Sequence, residues 1–276
     1  MIRRILVPLD PSSYTTAALE YACFFAKQHN SEVCGLAVLD VPEIVNSVSS
    51  IARESIYNAE KLKQFRKNEA YDRIQLLLKE FHLKCEREGV AHCEEEIQGT
   101  PSKMIIQKSI FYDLIIIGLC TYYHFETNNQ PCKFIDKFLD HSVTPILAVP
   151  EYFKPIKNIL IAFDGSLPAA HALHRFTDLA NKSNFEITLL MANRNKKKVD
   201  QQLGNAEIYL RKHGLNNIKK VRKNNHIIRI MKEEFLNQAD MVVAGIHSKK
   251  GILDFLVGSL TKFLIKEGEK PLFLGP

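Results

Sequence analysis

The stretch Asp240-Met-Val-Val-Ala-Gly245-Ile-His-Ser248-Lys-Lys-Gly251-Ile-Leu-Asp-Phe-Leu-Val-Gly258-Ser259 joins an apolar run, a polar loop and the start of an apolar-periodic segment. This order predicts a buried strand that ends at Gly245 and a helix that begins after Gly258. Glycines let a ligand approach the main chain, and the free N–H groups at a helix start attract anions. The stretch therefore favours a phosphate site, with an ordinary strand end and turn as the alternative.

Three segments of the chain occur twice. Ile5–Ser12 (ILVPLDPS) recurs as Ile159–Ser166 (ILIAFDGS), Asp113–Gly118 as Asp240–Gly245, and Thr144–Pro150 as Lys270–Pro276. The repeat predicts two copies of one domain, residues 1–150 and residues 151–276. The offset between the copies is 154 residues at the first pair and 127 at the second, so the first copy carries about 27 extra residues.

Strand-like apolar runs alternate with helix-like segments in both copies, which predicts an α/β fold. We expect two tandem Rossmann-like domains, each a five-stranded parallel sheet flanked by helices. The extra residues fall in a helical stretch from about Ile44 to Glu88, and Ser12 is a candidate N-cap for the first helix. Ligands of such sheets bind at the carboxyl ends of the strands, where Asp164 and Gly245 lie.

The composition is that of a globular protein of 276 residues, 46% hydrophobic and 25% charged. No apolar run approaches the ~20 residues that a bilayer requires, and the N-terminus enters a strand pattern at once. We therefore expect a cytoplasmic protein with no membrane partner. The six cysteines form no Cys-x-x-Cys pair, which favours reduced thiols over a disulfide framework.

The net charge of +6 is concentrated in part in two basic runs, Arg194–Lys198 and Lys219–Lys223. Nucleic-acid binding is one interpretation of such runs. No aromatic side chains that could stack on bases are interleaved with them, so solvated loops are favoured. We expect no nucleic-acid partner.

The second copy resembles a universal stress protein domain. Nucleotide-binding members of that family share an aspartate at the end of strand one and the pattern Gly-x2-Gly-x9-Gly-Ser/Thr. Here Asp164 ends strand one, and the pattern is Gly245-x2-Ser248-x9-Gly258-Ser259, with serine in place of one glycine. With both copies included, the whole chain resembles the tandem two-domain form, which implies the adenine nucleotide alpha hydrolase-like variant of the fold.

The resemblance implies a site for an adenine nucleotide, ATP before ADP or AMP, with Mg²⁺ as a candidate companion ion. Asp164 would lie near the adenine and ribose, and the main chain at Ala192 would recognise the adenine edge. The site residues that the resemblance implies are Ala162, Phe163, Asp164, Ala192, Ala244, Gly245, His247, Ser248, Gly258, Ser259 and Leu260. Several of them have a simpler alternative role, such as a helix cap or a loop residue.

The first copy has lost this pattern. Its run is Gly118-Leu-Cys-Thr121, followed after nine residues by Pro131-Cys132, and proline has no N–H to offer a phosphate. Bulky side chains at Tyr122, Tyr123, His124 and Phe125 occupy the loop. We expect no triphosphate site there and a structural role for Asp10.

Metal binding and catalysis have weaker support in the sequence than nucleotide binding. His82, Cys85, His92 and Cys93 offer zinc ligands, but their spacing matches no established finger, so we assign no metal ligand and leave metal as a minor alternative. The chain has neither a nucleophile elbow nor the phosphate loop of dedicated ATPases. We assign no catalytic residue, and slow ATP hydrolysis stays open.

Three functions remain. The favoured one is a nucleotide-binding regulatory protein of the stress response, and the alternatives are a partner-binding or dimerisation scaffold and a slow ATPase. The resemblance implies that copies pair through their last strands, Pro145–Val149 and Pro271–Leu274. We expect a homodimer with an unidentified protein partner, and the helical insertion is a candidate surface for it.

Overall fold

The computed structural model describes residues 1–51, 56–123, 125, 134–139, 141–181, 183–246 and 257–276. The strands of the first half are β1 (Arg4–Leu9), β2 (Glu32–Leu39), β3 (His92–Gln98), β4 (Leu114–Gly118) and β5 (Ile146–Val149). Its helices are α1 (Tyr14–His29), α2 (Val41–Ile51), α3 (Ile56–Glu88), α4 (Pro101–Ser109) and α5 (Phe134–Leu139).

The second half repeats this order. Its strands are β6 (Asn158–Ala162), β7 (Glu186–Ala192), β8 (Ile218–Lys223), β9 (Met241–Gly245) and β10 (Leu272–Gly275). Its helices are α6 (Leu167–Ala180), α7 (Lys196–Lys212), α8 (Ile227–Ile230) with a π-helical turn at Met231–Phe235, and α9 (Ser259–Glu267).

All ten of these strands form one sheet in the order β3-β2-β1-β4-β5-β10-β9-β6-β7-β8. Within each half every pairing is parallel, and the halves join where β5 pairs antiparallel with β10, Leu272 opposite Ala148 and Leu274 opposite Ile146. The predicted fold class is confirmed. The sheet places the carboxyl ends of β6 and β9 side by side, which is where such folds bind ligands.

Apolar helices cover both faces of the sheet. Alternate strand residues such as Ile5 and Leu6 belong to two different buried clusters, one packed on α1, α3, α6 and α7 and the other on α4, α5, α8 and α9. Both clusters run through the two halves. Strand β4 is buried along its whole length, whereas β3 at the sheet edge is partly exposed, as its run of glutamates requires.

The halves are also joined through their first helices. The buried His29 ring at the end of α1 donates from Nε2 to the carbonyl of Leu179 in α6 over 2.9 Å. The connecting segment packs on α1 as well, because the Phe153 ring lies 4.7 Å from that of Tyr21. These contacts hold the halves in one arrangement.

The first two helical predictions need correction. The N-cap of α1 is Ser13, not Ser12, because the Ser12 hydroxyl donates to Asp10 Oδ1 at 2.8 Å. The insertion is not one helix from Ile44: α2 already begins at Val41 and packs against α3, with Arg66 donating to Ser47 Oγ at 2.7 Å. Gly89, with a φ of +66°, ends α3.

Cysteine chemistry differs from the prediction at one position. Cys23, Cys34, Cys85 and Cys93 are free thiols, as expected. Cys120 is disulfide-bonded, so the prediction of reduced thiols is wrong there. Spacing along the chain does not show which residues the loop after β4 brings together. Among the described helices, none is long and apolar enough to span a membrane.

Candidate functional site

A cleft of about 350 Å³ opens at the carboxyl ends of β6, β7 and β9. This volume lies within the range of ~300–1,000 Å³ that is usual for small-molecule sites. Most of the predicted site residues line it: Ala162, Phe163, Asp164, Ala192, Ala244, Gly245, Gly258, Ser259 and Leu260. His247 and Ser248, which were also predicted, lie outside the described residues.

Asp164 contributes a carboxylate to the cleft. It is exposed, and its Oδ1 accepts the main-chain N–H of Ser166 over 2.8 Å, which holds the turn at Gly165 in a left-handed conformation with φ of +74°. Its Oδ2 has no protein donor within the described part of the chain. One carboxylate oxygen therefore remains for a ligand hydroxyl or amine.

The start of α6 forms one wall of the cleft. Ser166 is its N-cap and accepts the N–H of Ala169 with its hydroxyl oxygen at 3.4 Å. A Cβ at Gly245 would lie 2.6 Å from the carbonyl carbon of Pro168, which no side chain tolerates. Glycine is thus required at this position by the close approach of β9 to α6, whether or not a ligand is bound.

The start of α9 forms the opposite wall. Gly258 donates its N–H to the carbonyl of Ile246 at 2.9 Å, and the Thr261 hydroxyl donates to the carbonyl of Gly245 at 2.9 Å. These two bonds hold the helix start against the end of β9. The N–H groups of Ser259 and Leu260 have no acceptor in the described residues, as expected in the first turn of a helix.

Together the walls give the cleft a polar and an apolar side. Two helix-start amides and the positive end of the α9 dipole favour an anionic group. Phe163, Ala192 and Ile227 supply apolar surface suited to a flat, weakly polar ring. Asp164 is the one charged side chain among the described lining residues, so the cleft offers no acid–base pair there.

Five lining residues were missed by the sequence analysis: Ser166, Pro168, Ala169, Ile227 and Thr261. The first three come directly after Asp164, so the turn after strand one could have indicated them. Thr261 could have been found as a buried polar residue one turn into the predicted last helix. Ile227 begins the helix after β8, and no motif points to it.

The equivalent aspartate in the first half is bonded to the protein itself. The Asp10 carboxylate is fully buried and accepts from Thr15 Oγ1 at 2.6 Å, Ser12 Oγ at 2.8 Å and the N–H of Tyr122 at 2.8 Å. Desolvation raises the pKa of Asp10 to about 6, against the lowering effect of these donors. Tyr123, also buried, lies close enough for Asp10 to raise its pKa. Protein donors thus occupy both carboxylate oxygens.

The same framework glycine occurs in both halves. A Cβ at Gly118 would lie 2.4 Å from Cβ of Tyr14, at the start of α1, as one at Gly245 would meet Pro168 at the start of α6. The first half has a cleft of about 360 Å³ that reaches Asp10, Ser12 and Thr15, but it opens between α1 and α3, beside Lys84 and Arg87. The two halves therefore share the helix–strand packing and differ in the residues that lie above it.

Comparison with known proteins gives a family for the first part of the chain. Residues 1–119 match the model of the universal stress protein family. The match ends one residue after β4, before the loop that carries Tyr123. No curated protein sequence matches the chain significantly.

The fold of the whole chain has close structural counterparts. It is similar to a universal stress protein from Archaeoglobus fulgidus DSM 4304, with a TM-score of 0.69, 19% identity, and coverage of 99% of this chain and 97% of that one. It is also similar to a putative universal stress protein from Pseudomonas aeruginosa UCBPP-PA14, with a TM-score of 0.62, 16% identity, and coverage of 99% and 92%. At such identities the likeness concerns the fold.

Proposed function

We propose that this chain is a stress-response protein that binds an adenine nucleotide in the cleft of its second half, because its residues 1–119 match the model of the universal stress protein family. ATP is the first candidate, ahead of ADP and AMP, with Mg²⁺ as a companion ion. The observation that carries the proposal is that Asp164 and the first residues of α9, Ser259 and Leu260, line one cleft.

The parts of a nucleotide match the parts of this cleft. The phosphates take the N–H groups of Ser259 and Leu260 and the positive end of the helix dipole. The ribose hydroxyls take the second oxygen of Asp164, and the base lies against Phe163 and Ile227. A ligand with all three parts uses the carboxylate, the helix-start amides and the apolar surface of the described walls.

A binding role has more support than turnover. Phosphate transfer or hydrolysis requires a group that positions the nucleophile and cations that stabilise the transition state. Asp164 alone among the described lining residues is charged, so regulation through nucleotide binding is the favoured function. Slow hydrolysis is tested by phosphate release at saturating ATP, where a rate at or below background supports binding alone.

Gly258→Asp tests the phosphate site. The φ of −61° and ψ of 151° at Gly258 suit aspartate, which is a good N-cap, so the variant should fold. A carboxylate at this place repels phosphate, and we expect ATP affinity to fall by at least about 10-fold. Gly204→Asp in α7 adds the same charge where a Cβ meets nothing within 4 Å, and it should bind as the wild type does.

Fluorescence of a labelled ATP analogue, with unlabelled ATP as competitor, measures both variants. Equal affinity in Gly258→Asp and the wild type would contradict the phosphate assignment. Mass spectrometry of small molecules released from the purified full chain identifies which nucleotide is preferred.

A scaffold that self-associates is the second candidate, and exposed residues of α3 favour it. Phe65, Leu76 and Leu83 are 64%, 63% and 47% exposed, and their spacings of 11 and 7 place them on one face of the helix. A second copy of the chain can cover this face as a homodimer. Light scattering of Leu76→Glu tests it, and a dimer that persists in this variant would exclude the α3 face.

The proposal also covers the domain bounds, the cellular location and a protein partner of the chain. We propose two domains, residues 1–150 and 151–276, because each half contains its own five-stranded parallel unit. A cytoplasmic location and an unidentified protein partner complete it. Cell fractionation and cross-linking in cells test these two parts.

A further inference from the structure

Side chains from α3 and β3 meet at the edge of the first half. His82 Nδ1 lies 2.8 Å from Glu94 Oε1 and 3.1 Å from His92 Nε2. One atom from each of the three side chains lies within 4.8 Å of the others. Two imidazole nitrogens and a carboxylate oxygen are the ligand types that Zn²⁺ takes in sites with three protein ligands.

Hydrogen bonds show which nitrogen of His92 is free to bind a cation. The carbonyl of Val90 can only accept, and His92 Nδ1 donates to it over 2.9 Å. Nε2 of the neutral ring therefore carries a lone pair, and it points toward His82. Ligating histidines are commonly held in this way, with the second ring nitrogen bonded to a carbonyl or carboxylate.

His82 has a matching outer partner. Its Nε2 lies 3.4 Å from Glu86 Oε1, one turn further along α3. A hydrogen on Nδ1 bonds to Glu94 Oε1 at 2.8 Å, and a cation that displaces it leaves the ring hydrogen on Nε2, toward Glu86, with the Nδ1 lone pair turned to His92 and Glu94. Three electron-rich atoms then face one another, and a cation between them removes the repulsion.

In the second half, a salt bridge connects the equivalent helix and strand, α7 and β8. Val33 pairs with His92 and Ile187 with Ile218, so His92 and Ile218 occupy equivalent places, and Glu94 corresponds to Lys220. There Lys220 and Glu207 of α7 form a salt bridge of 2.6 Å. The protein supplies the cation in the second half, whereas in the first half this helix–strand contact has two histidines and a carboxylate.

We propose that His82, His92 and Glu94 bind Zn²⁺ and that the ion ties the insertion helix α3 to the edge strand β3. His82 and Glu94 are 44% and 34% exposed, which leaves a coordination position for water. His92 is oriented by the edge of the Phe81 ring, whose centre lies 6.0 Å away. Zinc with bonds of ~2.0–2.1 Å requires His82 Nδ1 to lie a few tenths of an ångström further from Glu94 Oε1 and His92 Nε2, which rotation of exposed side chains supplies.

The thiols considered in the sequence analysis are not part of this set. Cys85 shares a hydrogen bond with Cys23 of α1, and Cys93 with Cys34, its neighbour on β2. The site therefore has two histidines and one carboxylate, instead of the two histidines and two cysteines considered from the sequence.

Calorimetric titration of the metal-free full chain with zinc chloride tests the proposal. We expect one site, and we expect His92→Gln and Glu94→Gln each to lower the affinity by at least about 100-fold, since loss of an outer partner alone typically costs 10–100-fold. His171→Gln, at an exposed position on α6, should bind zinc as the wild type does. Melting curves in EDTA show that each variant is folded without metal.

Two results would overturn the proposal. One is the absence of zinc binding in the wild type, with stability that responds to pH and not to zinc, because a proton shared by the two imidazoles then suffices. The other is loss of binding in Cys93→Ser with normal binding in His92→Gln, because the thiols then hold the ion. Normal binding in Cys93→Ser supports the proposed set.

Discussion

The two halves each end their first strand with an aspartate, but they use it differently. Asp10 is fully buried, with both oxygens bonded to protein donors. Asp164 is exposed, and the structure gives it one bond, to the N–H of Ser166. A repeated framework therefore does not preserve a site, because the loops beyond the strand ends decide whether the carboxylate meets the protein or a ligand.

The last segments of the halves show the same contrast. After β4, the N–H of Tyr122 bonds to Asp10, and the side chain of Tyr123 is buried. At the start of α9, the N-cap Gly258 and the first helical residue Ser259 line the cleft. In the first half the protein supplies the partners of the carboxylate, whereas the described walls of the second half leave a cleft of about 350 Å³ beside Asp164.

The largest expected effect comes from opening the first half. Tyr123→Ala removes a fully buried aromatic ring, and we expect it to lower the free energy of unfolding by about 3–5 kcal/mol. Tyr122→Ala changes a half-buried neighbour and should cost clearly less. Urea denaturation measures both. Equal costs for the two variants would mean that Tyr123 does not fill this place.

The pH dependence of stability tests the burial of Asp10. Its pKa of about 6 lies above the value of about 3.9 for an unfolded chain, so the folded state binds the proton more tightly. The resulting stabilisation is full below pH ~4 and is lost as the pH rises through 6, a difference of about 3 kcal/mol. Asp10→Asn should remove that component from denaturation curves between pH 4 and 7. If the stability of Asp10→Asn depends on pH as that of the wild type does, the raised pKa of Asp10 is contradicted.

Because one oxygen of Asp164 has no protein donor in the described residues, we expect a substitution there to change ATP affinity more than stability. Asp164→Asn can still accept the N–H of Ser166, but it loses a charged acceptor for the ribose, so we expect ATP affinity to fall about 10-fold. Asp10→Asn is the matched change in the first half and should leave ATP affinity unaltered. Competition with a fluorescent nucleotide measures the ATP affinity of both variants, and equal affinities would contradict the role of Asp164.

The smallest effect concerns the helix caps. Ser166→Ala removes the hydroxyl that accepts the N–H of Ala169, and we expect a loss of about 0.5–1 kcal/mol. Ser13→Ala at the N-cap of α1 should cost less, because the Ser13 side chain makes no cap hydrogen bond. Thermal unfolding of both variants at one pH tests this difference, and a larger cost for Ser13→Ala would reverse the assignment.

Much of the fold can be inferred from the sequence because the repeat marks equivalent strands and the apolar runs are too short for helices. The central strands and the position of the insertion were predictable for this reason. The cap at Ser13 was not, because the Ser12 hydroxyl bonds to Asp10, a contact that depends on the buried carboxylate. The return of α2 onto α3 was not predictable either, since helical periodicity continues through both.

The residues that line the cleft were predictable where they belong to the glycine pattern or follow strand one. Ile227 and Thr261 were missed, because they enter the cleft through the packing of α8 and α9. The cluster of His82, His92 and Glu94 depends on how α3 is aligned with β3, and sequence spacing does not report that alignment. Contacts between elements that are far apart in the sequence are thus the features that the sequence alone does not reveal.

The stoichiometry of ATP binding tests the central difference between the halves most directly. Calorimetry of the nucleotide-free full chain should give one ATP for each chain, and Gly258→Asp should weaken that binding while Gly204→Asp retains it. Two bound nucleotides for each chain, or one that binds Gly258→Asp with unchanged affinity, would contradict the account.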